Sequence, residues 1–161
     1  MFSIGDKIVY PMHGAGVIEA VEEKEILGEL RKYFVLHVPY NGMKVMIPCN
    51  GASQIGVRDI IPKEQVEPVF EVLSSESTEM NHNWNRRFRE NMELLKSGDI
   101  FSVSEVVRNL MRVDRVKKLS TGEKKMLSDA RHILMSELLL VTKDDVEALG
   151  QRMEEEIFSI G

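Results

Sequence analysis

Residues 83–89 read Asn-Trp-Asn-Arg-Arg-Phe-Arg, one large aromatic plate inside a polar, basic collar. Trp84 is the only tryptophan in the chain, and Asn83, Asn85, Arg86, Arg87 and Arg89 surround it. The charged neighbours pull against burial of the ring, and guanidinium groups are the side chains best suited to meet phosphates. The same residue also heads the apolar series Trp84, Phe88, Met92 and Leu95 at helical spacing. The pattern by itself allows either a plate held at the surface or a core tryptophan. A second basic feature, Lys124-Lys125, follows the capping box Ser120-Thr121-Gly122-Glu123, which puts both lysines in the first turn of a helix. Cations are poorly placed there for the helix dipole, unless phosphates approach the free N–H groups of that end. The alternative is two solvated lysines. Arg108, Arg112 and Arg115 share a rough helical face and read as exposed.

Signals for catalysis are thin. The histidines at 13, 37, 82 and 132 have no i, i+4 pairing and no HExxH context. Cys49 is the single cysteine, so an intrachain disulfide and a multi-thiolate zinc cluster are ruled out. A lone cysteine at a strand edge reads as packing, against the alternative of a nucleophile paired with a distant histidine. Gly14-Ala15-Gly16 lacks the remainder of a dinucleotide fingerprint and any P-loop lysine. A non-enzymatic protein with no metal and no cofactor is expected.

Charge is unevenly spread. The chain carries a net -5, but residues 84–132 hold 12 basic and 7 acidic side chains, between two acidic flanks. Screening confines each field to about 10 Å, so a basic middle can still offer a local nucleic-acid footprint. With 43% hydrophobic and 29% charged residues, the balance is that of an ordinary globular protein. No apolar run approaches the roughly 18 residues of a membrane span, and the opening Met-Phe-Ser-Ile-Gly-Asp lacks the pattern of a signal peptide. A cytoplasmic location is expected.

The elements that must carry these residues fall into two regimes. Short strands are expected at 7–10, from 17 to 21, at 33–38, at 43–48 and near 56–60, with Asn41-Gly42 as a two-residue hairpin turn. Five such strands suggest a small, strongly bent sheet or barrel. Beyond Pro62 the apolar period changes from about 2 to about 3.6. Helices are expected after Pro62, from Trp84 to Gly98, from a capping box at Ser102-Val103-Ser104-Glu105, from Ser120, and after Thr142. The expected architecture is α+β with segregated parts, a β domain over 1–61 and a helical domain over 62–161.

Several stretches resemble the CarD family, also called CdnL-like, whose N-terminal module is shared with transcription-repair coupling factors. They are Gly5-Asp6-Lys7-Ile8-Val9-Tyr10-Pro11 with His13-Gly14, Glu19-Ala20-Val21-Glu22, Tyr33-Phe34-Val35-Leu36 and Val57-Arg58-Asp59-Ile60. In the helical half they are Asn83-Trp84-Asn85-Arg86-Arg87-Phe88, Ser97-Gly98-Asp99, Val106-Val107-Arg108 and Ser120-Thr121-Gly122-Glu123-Lys124-Lys125-Met126-Leu127. The resemblance runs almost end to end. It implies a Tudor-like N-terminal domain that binds the β subunit of RNA polymerase through an exposed strand edge. On this chain that edge matches Lys44, Val45, Met46, Ile47 and Pro48, with Lys24 nearby. Some members of the family carry arginine where Met46 stands, so a charge-assisted contact is missing here. The resemblance further implies that Trp84 wedges against a base at the upstream edge of the transcription bubble, from the minor-groove side. Arg86, Arg87, Arg89, Lys124 and Lys125 would then serve the phosphates without base-specific readout. The implied function is stabilisation of the open promoter complex by a factor held at the nucleoid through polymerase. The alternative is a barrel that binds another partner, RNA or a DNA-repair protein. In either case Cys49→Ala is expected to leave polymerase and DNA binding unchanged, as measured by pull-down and gel shift.

Overall fold

A computed structural model describes residues 2–159. Strands β1 (Lys7–Tyr10), β2 (Gly14–Ile26), β3 (Glu29–Val38), β4 (Met43–Pro48) and β5 (Arg58–Asp59) form one antiparallel sheet in the order β4-β3-β2-β1-β5. A single 3-10 turn (Lys63–Gln65) leads into α1 (Val66–Ser74), α2 (Trp84–Lys96), α3 (Ile100–Val116), α4 (Thr121–Thr142) and α5 (Val146–Ile157). The expected segregation of strands before helices is therefore the fold found.

The sheet bends because β2 is irregular. Its register against β3 shifts between Ile18 and Ala20, a β-bulge that sharpens the local twist. Before the bulge Ile18 is buried with Ile8, Phe34, Leu36, Val38 and Ile47. Gly16 sits where β2 and β3 crowd each other, and a Cβ there would collide with the His37 carbonyl oxygen. After the bulge β2 and β3 leave the core as a two-stranded ribbon, exposed from Val21 to Lys32. Both strands are thus longer than periodicity suggested. Exposure on both faces erases the alternation that marks a half-buried strand, while pairs such as Glu23 opposite Lys32 support the ribbon.

Two other local expectations are corrected. The β3–β4 connection has four residues, 39–42, because Val38 pairs with Met43. Asn41 stabilises the turn by accepting from the Met43 N–H at 2.9 Å. Helix α3 begins a turn earlier than expected, capped by Asp99, whose carboxylate accepts from Phe101 N and Ser102 N. Ser102 lies inside that helix.

The β cluster and a larger helical cluster share Tyr40 as a neighbour, and Met12 and Ile61 from the β half pack against the helical core. The polar part of this junction centres on α4. Glu137, 2% exposed, takes Arg58 of β5 in a two-pronged ion pair with both contacts at 2.8 Å. The same carboxylate accepts from Ile61 N at 2.8 Å, while Arg58 Nε donates to the Gly98 carbonyl at 2.9 Å. Ser136 accepts from Ala15 N at 2.8 Å. Removing one member of a buried pair strands the other without solvent. Arg58→Ala is therefore expected to cost about 3 kcal/mol, near the low end for buried pairs because Arg58 is partly solvated. A lowered urea midpoint for the whole chain checks this.

Candidate nucleic-acid and partner interface

The start of α2 is built by three arginines that sequence reading treated alike with their neighbours. The loop between α1 and α2 has few apolar residues to hold it. Arg108, 3% exposed, donates from its two Nη atoms to the Val72 carbonyl (2.9 Å) and Thr78 Oγ1 (2.6 Å). Arg112 donates to the carbonyls of Leu73, Ser75 and Ile157 and to Ser77 Oγ. Both were expected to be exposed. They turn inward because a guanidinium fork fits the unsatisfied carbonyls, and the negative dipole end, of α1. Burial lowers the pKa of each, and for Arg112 the charge of Arg108 lowers it further. Of Arg108, Arg112 and Arg115, read together from the sequence, Arg115 alone is exposed, with its guanidinium 3.7 Å from the Phe158 ring centroid.

Arg87 is the third. It pairs with the buried Glu123 of α4 through two contacts, at 2.9 and 3.2 Å, and donates to the carbonyls of Asn81 and His82. Its hydrogen bonds to Glu123 raise its pKa against the opposing effect of burial. Arg87 was expected among the phosphate contacts; its donors are instead committed within the protein. The Ser120 box is correspondingly altered. Ser120 Oγ accepts from Glu123 N at 3.3 Å as expected, but the Glu123 carboxylate serves Arg87.

Trp84 is seated by the same junction of α2 and α4. Its indole N–H donates to Ser120 Oγ at 3.0 Å, and its ring stacks on Phe88 at 5.0 Å with 17° between planes. Gly122 leaves room for the ring edge, since a Cβ there would lie 3.3 Å from Trp84 Cζ2. The residue nonetheless remains 40% exposed. It is neither a core tryptophan nor a free one. Ser120, Gly122 and Glu123 were legible as a helix start, but nothing in their spacing reveals that they face Trp84 and Arg87 of another helix.

The remaining basic candidates lie on the surface. Arg86, Arg89 and Lys124 are exposed and enter no ion pair among the described residues. Lys125 is exposed too and makes an i, i+4 pair with Asp129 at 3.0 Å, a solvent-screened contact of little energy. The structure thus brings two sequence-distant basic segments to adjoining helix starts.

In the β half, β4 is an edge strand. Its outer side carries unpaired backbone groups that another strand could complete. Lys44 is exposed and bridges to Glu19 at 2.9 Å, while Val45 and Met46 are half-buried. Ile47 is fully buried in the β core, so it offers no accessible surface at the edge. Pro48 is exposed and has no N–H, which ends the usable edge. Lys24 is not gathered there; it stands on the ribbon opposite Arg31, beyond the point where β4 stops opposite Tyr33. Nearby, burial pushes the Cys49 thiol up, against the charge of Lys32, which disfavours a reactive thiolate. No cluster of metal-ligating side chains occurs among the described residues, and no described helix is long and apolar enough to cross a membrane.

Both halves match families. Residues 2–61 match the CarD-like/TRCF RID domain and residues 68–154 the CarD, C-terminal domain. The chain belongs to the CarD family of transcription regulators. Among CarD-family relatives it is 38% identical over 153 residues to "Putative transcription factor YdeB" of Bacillus subtilis (strain 168), covering 93% of this chain and all of that one. A solution structure of the 72-residue N-terminal domain of Myxococcus xanthus CarD is 30% identical, with 37% of this chain and 79% of that one covered at a TM-score of 0.32. As a CarD-family chain it carries its tryptophan in the C-terminal match and its open strand edge in the RID match.

Because Glu123 is 4% exposed, Arg87→Ala would leave its carboxylate buried without a counter-charge. A loss of up to about 3 kcal/mol is expected, with a shift in the fluorescence of the single tryptophan. Arg86→Ala and Arg89→Ala should stay within about 0.5 kcal/mol of the parent, as exposed substitutions usually do. Urea titrations followed by tryptophan emission distinguish the two classes.

Proposed function

We propose that this protein binds the β subunit of RNA polymerase through the β4 edge and stabilises the open promoter complex by contacting DNA at the upstream edge of the bubble with Trp84. Residues 1–61 would form the polymerase-facing part and residues 62–161 the DNA-facing part, working in the cytoplasm wherever polymerase engages the nucleoid. The observation that carries the reading is an indole 40% exposed yet pinned by a hydrogen bond and a stacked ring. A plate fixed in advance loses little entropy when a base stacks on it. Arg86, Arg89, Lys124 and Lys125 would supply the phosphate contacts, and Arg87 would position the tryptophan. Met46 at the edge offers apolar contact in place of a charge.

The mechanism is differential binding. A factor that grips melted DNA better than duplex shifts the opening equilibrium by that difference and no more. Base stacking on an aromatic ring contributes roughly 1–3 kcal/mol, so Trp84→Ala is expected to shorten open-complex lifetime by about 10- to 100-fold. Filter-binding decay on a linear promoter with heparin challenge measures it, and pull-down of the polymerase β subunit should be unchanged by the same substitution. Equal lifetimes would remove the DNA role. Loss of the β-subunit interaction in the parent protein would favour RNA or a repair protein as the barrel's partner.

A further inference from the structure

Beside the indole lies a cleft of about 860 Å³, between the 77–82 loop, the C-terminal half of α3 and the 117–120 turn. Sites for small ligands commonly measure roughly 300–1,000 Å³. One wall is Trp84 itself. Another is formed by Val113 and Val116, which are 36% and 90% exposed. The charged lining is Arg87, Arg112, Lys117 and Lys118 against Glu79 and Glu123, a net of two positive charges in a chain of net -5. Arg87 and Arg112 are already spent on protein acceptors. Lys117 and Lys118 are exposed and form no ion pair among the described residues.

The cleft also holds an unused donor. Asn109 is 4% exposed and lines it. Its Oδ1 accepts from Thr78 N at 3.2 Å and from Arg108 Nε at 3.1 Å. Those two donors fix which end of the amide is the carbonyl. The amide nitrogen has no partner among the described residues. No unpartnered side-chain nitrogen or oxygen among the described residues is fully buried, so this nitrogen keeps some accessible surface on a residue that lines the cleft.

A flat apolar heterocycle with an acceptor edge, carrying an anion on the same unit, matches this set of surfaces. We propose that the cleft receives an unstacked nucleobase of the single-stranded DNA next to Trp84. A base carbonyl accepts from the Asn109 amide, the ring lies against Val113 and Val116, and the attached phosphates meet Lys117 and Lys118. Glu79, on the loop side, repels the backbone and turns it toward the two lysines. The inference rests on the reading that Trp84 meets the bubble edge, and it deepens that reading. The wedge would then have a receptacle for the base it displaces.

The test compares open-complex lifetimes on an intact promoter and on promoters with an abasic site at each of the first unpaired positions upstream. Asn109→Asp keeps both acceptor contacts, places a carboxylate beside Arg108 and removes the donor, so it is expected to fold, as a urea titration checks. Val113→Trp fills the cleft from another side. On intact DNA each variant should shorten the lifetime roughly two- to tenfold, as the loss of one buried hydrogen bond or contact would. At one abasic position the parent should lose the same factor and both variants should have no further effect. Unchanged lifetimes for both variants, with Trp84→Ala still short-lived, would overturn the cleft while leaving the wedge. Equal shortening on intact and every abasic DNA would also overturn it, and a parallel loss of polymerase pull-down would assign the cleft to a peptide. A Trp84→Ala protein indistinguishable from the parent would defeat the underlying reading instead.

Discussion

Glu137 is the group on which the two halves of this molecule depend. It is buried, it is charged, and it sits in the C-terminal third of the longest helix. A carboxylate in such a place is tolerable only if its lone pairs are filled. Arg58 and the Ile61 N–H fill them, and both come from the segment that leaves the sheet and enters the helices. Desolvation therefore enforces an attachment that apolar packing alone would leave free to slide. The strand half and the helical half are thereby fastened at one buried polar point.

The same rule recurs at the other end of α4. Glu123 is buried, and Arg87 answers it from α2. Satisfying that carboxylate helps draw together two helix starts, which the contacts of Trp84 with Ser120 and Gly122 also join. The result is an aromatic surface kept in place without being covered. Arg108 and Arg112 complete the support by tying the preceding loop to the ends of α1 and α5. Basic residues here divide by neighbourhood. Arg58, Arg87, Arg108 and Arg112, within reach of carbonyls or buried carboxylates, became structural, while Arg86, Arg89 and Lys124 stayed in solvent.

Legibility followed the range of the interaction that set each feature. Strand β4 and helices α2 and α4 were readable because turn residues, a capping serine and apolar spacing act within a few positions. The β2–β3 ribbon was cut short because a strand exposed on both faces has no burial period to show. Helix α3 was started late because Asp99 and Ser102 are both credible caps, and tertiary packing of Ile100 selected the earlier one. Exposed arginines were expected at 108 and 112 because residue type and helical face say nothing about carbonyls arriving from another helix.

The amino-acid order alone determined the α+β division, the family to which the chain belongs, and the presence of an indole within a basic segment, because composition, periodicity and motif are properties of neighbouring residues. It left open whether that indole was covered, which arginines were free, and whether the Asn109 amide had a partner. Those were decided by folding, because exposure and hydrogen-bond satisfaction depend on what α4 and the 75–83 loop bring from far along the chain to the start of α2.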